Sequence, residues 1–282
     1  MRTSTALQLL LAACLFACSG CSRLGLYVTP GQWERASIFQ PDKYPAGEWQ
    51  QTTILVQDAN FAAADGTKLH GWYVRHPQPK GHALVLHGNA GNVTLHADTL
   101  RTLNQRHGLA VLALDYRGYG KSAGSPSENG VLLDARAARR WLAEREGIAE
   151  KDIILMGQSL GGGVAVDLAA KDGCRGLVLA STFTSMPNVA QHHTPWLPMK
   201  WLVSTQFNSL AKIKDYQGPL LLAHGDADEV VPYQQGLDLF EAAPGPKQMI
   251  TSPGGKHNDP LPEKYREALD QFIANLPPVT ST

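Results

Sequence analysis

The stretch that most constrains this chain is Gly157-Gln158-Ser159-Leu160-Gly161. It is entered from the apolar run Ile153-Ile154-Leu155-Met156 and left through Gly162, Gly163, Val164, Ala165, Leu168 and Ala169. A short unbroken apolar run bounded by glycine marks a buried strand, and the residues that follow recur at helical spacing. Strand and helix therefore meet at a serine between two glycines, the context of a nucleophile elbow. Such a turn is tight enough to demand the glycines. It lifts the hydroxyl off the sheet, over a helix N-terminus whose N–H groups favour negative charge. A Gly-x-Ser-x-Gly string in a plain loop implies none of this; the flanking strand and helix give it meaning.

Apolar runs at Ala83–His87, Ala110–Asp115, Ile153–Met156, Leu177–Ala180, Leu220–Ala223 and Gln248–Thr251 alternate with helical patterns. Their hydrophobicity is continuous, so both faces of each strand are covered, as in a parallel sheet between helices. Two earlier strand-like runs, Ile54–Phe61 and Leu69–Arg75, flank Asp65-Gly66, a hairpin signal. Ser125-Pro126-Ser127-Glu128 reads as a cap, a proline at the first helical position and a glutamate at the third. Behind it Val131, Ala135, Ala138 and Leu142 keep helical spacing. The whole predicts an α/β fold, a doubly wound, mostly parallel sheet with an antiparallel N-terminal hairpin. Thr182–Leu210 breaks the alternation with Pro187, Pro195 and Pro198 and with Phe183, Met186, Trp196, Met199, Trp201 and Phe207. It reads as a small lid insertion at about residues 182–210, with exposed apolar bulk. The α/β domain is expected over residues 51–276, and residues 277–282 as a disordered tail.

With 282 residues and 43% hydrophobic positions the chain can bury one sizeable core. Its 25 basic and 25 acidic residues cancel, which argues against nucleic acid as a partner. At the N-terminus Arg2 precedes an apolar stretch of 12 residues, Ala6–Ala17, too short to span a bilayer and suited to a signal-peptide core. Residues 1–20 are expected to be a lipoprotein-type signal peptide. Residues 21–50, rich in Gly, Pro and aromatics, are expected to form a tether and irregular segment. Ser19-Gly20-Cys21-Ser22 resembles a bacterial lipobox, in which the cysteine is lipidated and becomes the new N-terminus. Cys18 is the rival site, with an awkward Phe16 two places before it, as Cys18 itself stands three places before Cys21. Cys21 is preferred; an ordinary secretory signal or uncleaved anchor is the plain alternative. Lipidation at Cys21 leaves Cys174 as the sole thiol of the mature chain and excludes a disulfide framework.

A serine hydroxyl is a poor nucleophile at neutral pH. It needs a base to take its proton and a carboxylate to orient that base. After Leu220–Ala223 the chain reads His224-Gly225-Asp226-Ala227-Asp228-Glu229-Val230-Val231-Pro232; after Gln248–Thr251 it reads Ser252-Pro253-Gly254-Gly255-Lys256-His257-Asn258-Asp259. An acid and a base thus follow the serine at the ends of two later strands, in the order Ser, Asp, His, with Asp226 and Asp228 both open as the acid. On these segments, with His87-Gly88-Asn89-Ala90-Gly91-Asn92 and Asp115-Tyr116-Arg117-Gly118-Tyr119-Gly120-Lys121-Ser122, the chain resembles the α/β-hydrolase superfamily over roughly residues 52–275. Within it, the Bem46-type serine hydrolases are the similar branch. The resemblance implies catalytic Ser159, Asp228 and His257, with Asp226 a turn residue. It implies an oxyanion hole from the backbone N–H groups of Asn89 and Leu160, and a structural role for His87.

The resemblance further implies acyl transfer on an ester or thioester, of the carboxylesterase, lipase or thioesterase kind, by a monomer that needs no cofactor or metal. The expected partners are a small-molecule or lipid acyl substrate and a membrane reached through the N-terminal lipid. Serine after either candidate cysteine implies the periplasmic face of the outer membrane. A peptidase of the prolyl-aminopeptidase type and a non-catalytic lipid-binding lipoprotein are the alternatives. His192-His193 lacks a neighbouring third ligand and reads as solvated lid rather than metal site. Gly118-x-Gly120 lacks the third glycine of a dinucleotide fingerprint, and Arg117 reads as a loop anchor. Cys174 reads as a buried structural thiol.

Overall fold

The computed structural model describes residues 29–279, in a chain that divides into two units, residues 1–40 and 41–282. Cys18 and Cys21, the signal segment and residues 280–282 lie outside the described residues. In the first unit the described residues hold a helix, α1 (Pro30–Ile38), so the expectation of an irregular segment over 21–50 is corrected there. The cause is a complete capping box. Thr29 Oγ1 accepts from Gln32 N at 3.3 Å and Gln32 Oε1 accepts from Thr29 N at 2.9 Å, with Pro30 at the first turn.

The second unit is built on a sheet of eight strands among the described residues. They are β1 (Gln57–Ala62), β2 (Lys68–Val74), β3 (Gly81–Leu86), β4 (Leu109–Asp115), β5 (Ile153–Gln158), β6 (Gly176–Ala180), β7 (Leu220–Gly225) and β8 (Lys247–Ser252). Their order is β1-β2-β4-β3-β5-β6-β7-β8. β1 and β2 pair antiparallel, as do β2 and β4; every other neighbouring pair is parallel. β3, β4 and β7 are buried at every residue, which is why their sequences show no alternation. β1 at the edge buries only Ala59, and it starts at Gln57 rather than Ile54, whose side chain joins the core ahead of the strand. The core gathers Trp72, Val85, Leu100, Val111, Ile154 and Leu221.

Helices among the described residues of this unit include α2 (Ala97–Gln105), α3 (Glu128–Glu146), α4 (Leu160–Asp172), α5 (Met186–His193), α6 (Met199–Leu202) and α7 (Ser209–Lys212). α3 starts two residues later than the Ser125 cap would place it. Ser127 is extended and its hydroxyl accepts from Gly130 N at 3.2 Å. Glu128 reaches out instead: its carboxylate accepts from Gln206 N at 2.7 Å and Phe207 N at 2.9 Å. Val131, Ala135, Ala138 and Leu142 are all fully buried.

The insertion between β6 and β7 carries α5, α6 and α7. Its two ends are tied to each other, Met186 N to Gln206 O and Leu210 N to Thr184 O, each at 2.9 Å. Phe183 and Phe207, expected to be exposed, are buried, because both flank Gly163 on α4 where a Cβ would stand 3.2 Å from each ring or stem. Trp196 and Trp201 are exposed, at 61% and 90%.

Candidate active site

Ser159 stands between β5 and α4 with φ 50° and ψ −116°, a conformation L-residues avoid. The glycines make it possible. A Cβ on Gly157 would meet Gly161 O at 2.4 Å, and one on Gly161 would meet Leu86 O of β3 at 1.9 Å. The turn is further held by Ser159 N donating to Ala180 O at 3.0 Å and by Thr182 Oγ1 donating to Ser159 O at 2.9 Å.

The structure brings Ser159, His257 and Asp228 into one hydrogen-bonded chain. Asp228 follows β7 and His257 follows β8, strands that run parallel side by side, so their C-terminal loops meet. His257 Nδ1 donates to Asp228 Oδ2 at 2.7 Å, which fixes the tautomer and leaves Nε2 as the acceptor 3.1 Å from Ser159 Oγ. The second carboxylate oxygen, Oδ1, accepts from Val230 N at 2.9 Å and Val231 N at 2.8 Å. Burial alone would raise the Asp228 carboxyl, but bonds from His224, His257 and the Val231 N–H outweigh it and hold the group well below the usual carboxylate range. Asp226 points elsewhere: its Oδ1 accepts from Gly254 N at 2.6 Å, bracing the loop that carries His257.

Leu160 is the first residue of α4, so its N–H has no partner within the helix. Asn89 lies on the loop after β3. That loop passes over the elbow, where a Cβ on Gly88 would come 3.7 Å from Ser159 Cβ. Tyr119 donates its hydroxyl to Asn89 O at 2.7 Å and Tyr116 donates to His87 O at 3.1 Å, so two buried tyrosines set the loop's course. His87 packs on both rings and on His96. Burial holds the His87 imidazole below its usual range, and burial followed by the His87 neighbour pushes His96 down to about 3. The side-chain hydrogen-bond partner of Ser159 Oγ is His257, not either of these rings.

Two histidines hold the acid loop, and for His193 this corrects the expectation of a merely solvated lid residue. His224 Nε2 lies 3.0 Å from Val231 O and 3.2 Å from Asp228 Oδ2. His193, at the end of α5, donates from Nε2 to Val230 O at 2.8 Å. Position in the His224-Gly225-x-x-Asp228 string was a signal for the first; nothing in residue type announced the second. Arg117 anchors its loop on Asp134 and Asp65, Nη2 to Asp134 Oδ1 at 2.7 Å and Nη1 to Asp65 Oδ2 at 2.8 Å. Burial pushes the Cys174 thiol up to about 11, far from thiolate reactivity at neutral pH. Among the described residues no group of three or more His, Cys, Asp or Glu is placed to hold a metal ion.

A profile of the hydrolase family described as serine aminopeptidase, S33, matches residues 77–214. An uncharacterized protein of Mycobacterium tuberculosis is 38% identical over 239 residues, covering 84% of this chain and 85% of its own. The uncharacterized protein YfhR of Escherichia coli is 33% identical over 253 residues, covering 84% and 83%. Among solved structures, the Pyrococcus furiosus esterase Pf2001 superposes with a TM-score of 0.69 at 20% identity, covering 84% of this chain and 97% of that one. With the elbow, the strand order and these similarities together, the chain belongs to the α/β-hydrolase superfamily. It is a hydrolase by family; what it hydrolyses is a separate question.

Proposed function

We propose that the protein is a serine hydrolase of the Bem46-type branch that cleaves carboxylic ester or thioester bonds of acyl substrates. The observation that carries this is the unbroken chain Ser159 Oγ, His257, Asp228 ending on a hydroxyl at the elbow. Ser159 Oγ attacks the acyl carbonyl while His257 Nε2 takes its proton; Asp228 keeps the resulting imidazolium oriented and stabilised. The carbonyl oxygen becomes an oxyanion facing the Asn89 and Leu160 N–H groups, donors whose individual loss typically costs ~10²–10³ in turnover. His257 then protonates the leaving oxygen or sulfur. Water, deprotonated by the same imidazole, releases the acyl group from Ser159.

A fluorophosphonate probe is expected to label the protein, and Ser159→Ala to abolish labelling. Label persisting on another residue, or saturable lipid binding with no turnover of any ester, would overturn the assignment and favour a binding lipoprotein. The Trp- and Met-rich lid supports acyl chains over charged substrates, since each buried methylene contributes ~0.8 kcal/mol. Rates on p-nitrophenyl esters are therefore expected to rise from acetate to butyrate or longer. The family description of a serine aminopeptidase supports a second reading, cleavage of an N-terminal residue. It ranks lower because residues 182–210 contain no Asp or Glu to meet a free amine. Faster release from proline p-nitroanilide than from any ester would reverse that order.

The N-terminal sequence supports anchoring in the cell envelope through lipid on Cys21, facing the periplasm. Cys21→Ala is expected to move the full-length protein from the detergent phase to the aqueous phase. Release by Cys18→Ala instead would shift the site, and release by neither would end the lipoprotein reading.

A further inference from the structure

We infer that His193 is a positioning residue of this hydrolase, wired from the lid to the acid of the triad through a single peptide group; the inference rests on the serine-hydrolase reading above. The peptide between Val230 and Val231 has two polar ends, and both are engaged. Its carbonyl, Val230 O, accepts from His193 Nε2 at 2.8 Å. Its N–H, Val231 N, donates to Asp228 Oδ1 at 2.8 Å. Asp228 Oδ2 receives His257 Nδ1 at 2.7 Å, and His257 Nε2 faces Ser159 Oγ at 3.1 Å. The lid imidazole and the nucleophile are the two ends of one row of hydrogen bonds.

A peptide group is planar and conjugated, so a donor on its oxygen strengthens the N–H on its other side and fixes the plane in which that N–H points. His193 therefore acts on Asp228 in two ways, by orienting the Val231 N–H and by polarising it. His224 holds the next carbonyl, Val231 O, at 3.0 Å, so the acid loop is pinned by one imidazole from the sheet and one from the lid. The difference between the two pins is their attachment. His224 is fully buried at the end of β7 and moves with the sheet. His193 closes α5, in an insertion whose ends meet at Met186 and Gln206, so its bond exists only when the lid lies down on the acid loop. The lid's position is thereby communicated to the triad by a route separate from any contact of lid side chains with the acyl chain.

The test is the rate of fluorophosphonate labelling and the kcat and KM for a p-nitrophenyl ester in the intact protein. His193→Ala is expected to slow labelling and lower kcat roughly two- to tenfold, the range of one neutral hydrogen bond, with KM little changed. His193→Gln, whose amide retains a donor, should restore most of the rate, and His192→Ala should leave it at the wild-type value. On an Asp228→Asn background His193→Ala should have no further effect, since its influence passes through that carboxylate. An unchanged rate in His193→Ala, or an equal loss on both backgrounds, would overturn the inference while Ser159 labelling still stood. Failure of wild-type Ser159 to label would instead remove the hydrolase reading and this inference with it.

Discussion

Asp134 and Asp228 are both side chains fully withdrawn from solvent, yet they sit in networks of opposite design. Asp134 accepts from Arg117 N at 2.8 Å, from Nε at 2.9 Å and from Nη2 at 2.7 Å, while Nη1 goes to Asp65. Charge meets charge at both ends and the network closes on itself. Asp228 is balanced on one oxygen by two backbone N–H groups and on the other by the imidazoles of His257 and His224, the first of which leads on to Ser159. That second chain ends on the Ser159 hydroxyl, for which no onward hydrogen bond is seen among the described residues. A saturated ion pair stiffens a loop; a chain with an open end can pass a proton along.

Substitutions at the two aspartates should separate these designs. Asp228→Asn should lower ester turnover by ~10⁴, because an amide no longer selects the productive His257 tautomer, while the thermal midpoint moves little. A loss below tenfold would mean that Asp228 is not the orienting acid. Asp134→Ala should do the reverse. Leaving the Arg117 guanidinium buried without its main partner is expected to cost about 3–5 kcal/mol in urea unfolding, with labelling per folded molecule unchanged. If instead activity fell and stability held, the closed network would have a part in the chemistry.

The smallest effect concerns the stack beside the Asn89 loop. His96, pushed down to about 3, stays neutral in the fold while its unfolded form takes a proton below about 6.5. Between those values the unfolded chain binds more protons, so this group makes stability fall as pH drops through the window. His96→Phe should remove up to about 1.4 kcal/mol per pH unit of that slope between pH 6 and pH 4. Urea midpoints at pH 7, 6, 5 and 4 would show it, and parallel curves for the two proteins would refute it.

The position of Ser159 was legible because it follows an unbroken apolar run, written by a strand buried from Ile153 to Gly157. That of His257 rested on less, since β8 lies at the sheet edge and buries only Ile250, against the expectation of cover on both faces. The choice of Asp228 over Asp226 was not, since both flank the same turn; it needed a family pattern, and the Gly254 contact of Asp226 gives the physical reason. The cap at Ser127 was misplaced by two residues because two serines and a proline offer overlapping helix starts. What decides between them is Glu128, drawn to the N–H groups of Gln206 and Phe207, seventy-eight and seventy-nine positions along the chain. His193 was illegible for a related reason: its partner is a backbone carbonyl, which every residue possesses.

The paired ends of the insertion have a consequence for how such a protein can change. Met186 and Gln206 are hydrogen-bonded neighbours, so from the standpoint of the sheet the nineteen residues between them occupy the footprint of a hairpin. Chain inserted or deleted there alters closure entropy by only about 0.6 kcal/mol per doubling of length and leaves the span to be bridged unchanged. A lineage could therefore exchange the whole excursion for a longer or shorter one in a single recombination event. The elbow's own bonds to Ala180 and Thr182 would be untouched, while the partner of the acid loop at Val230 would be new.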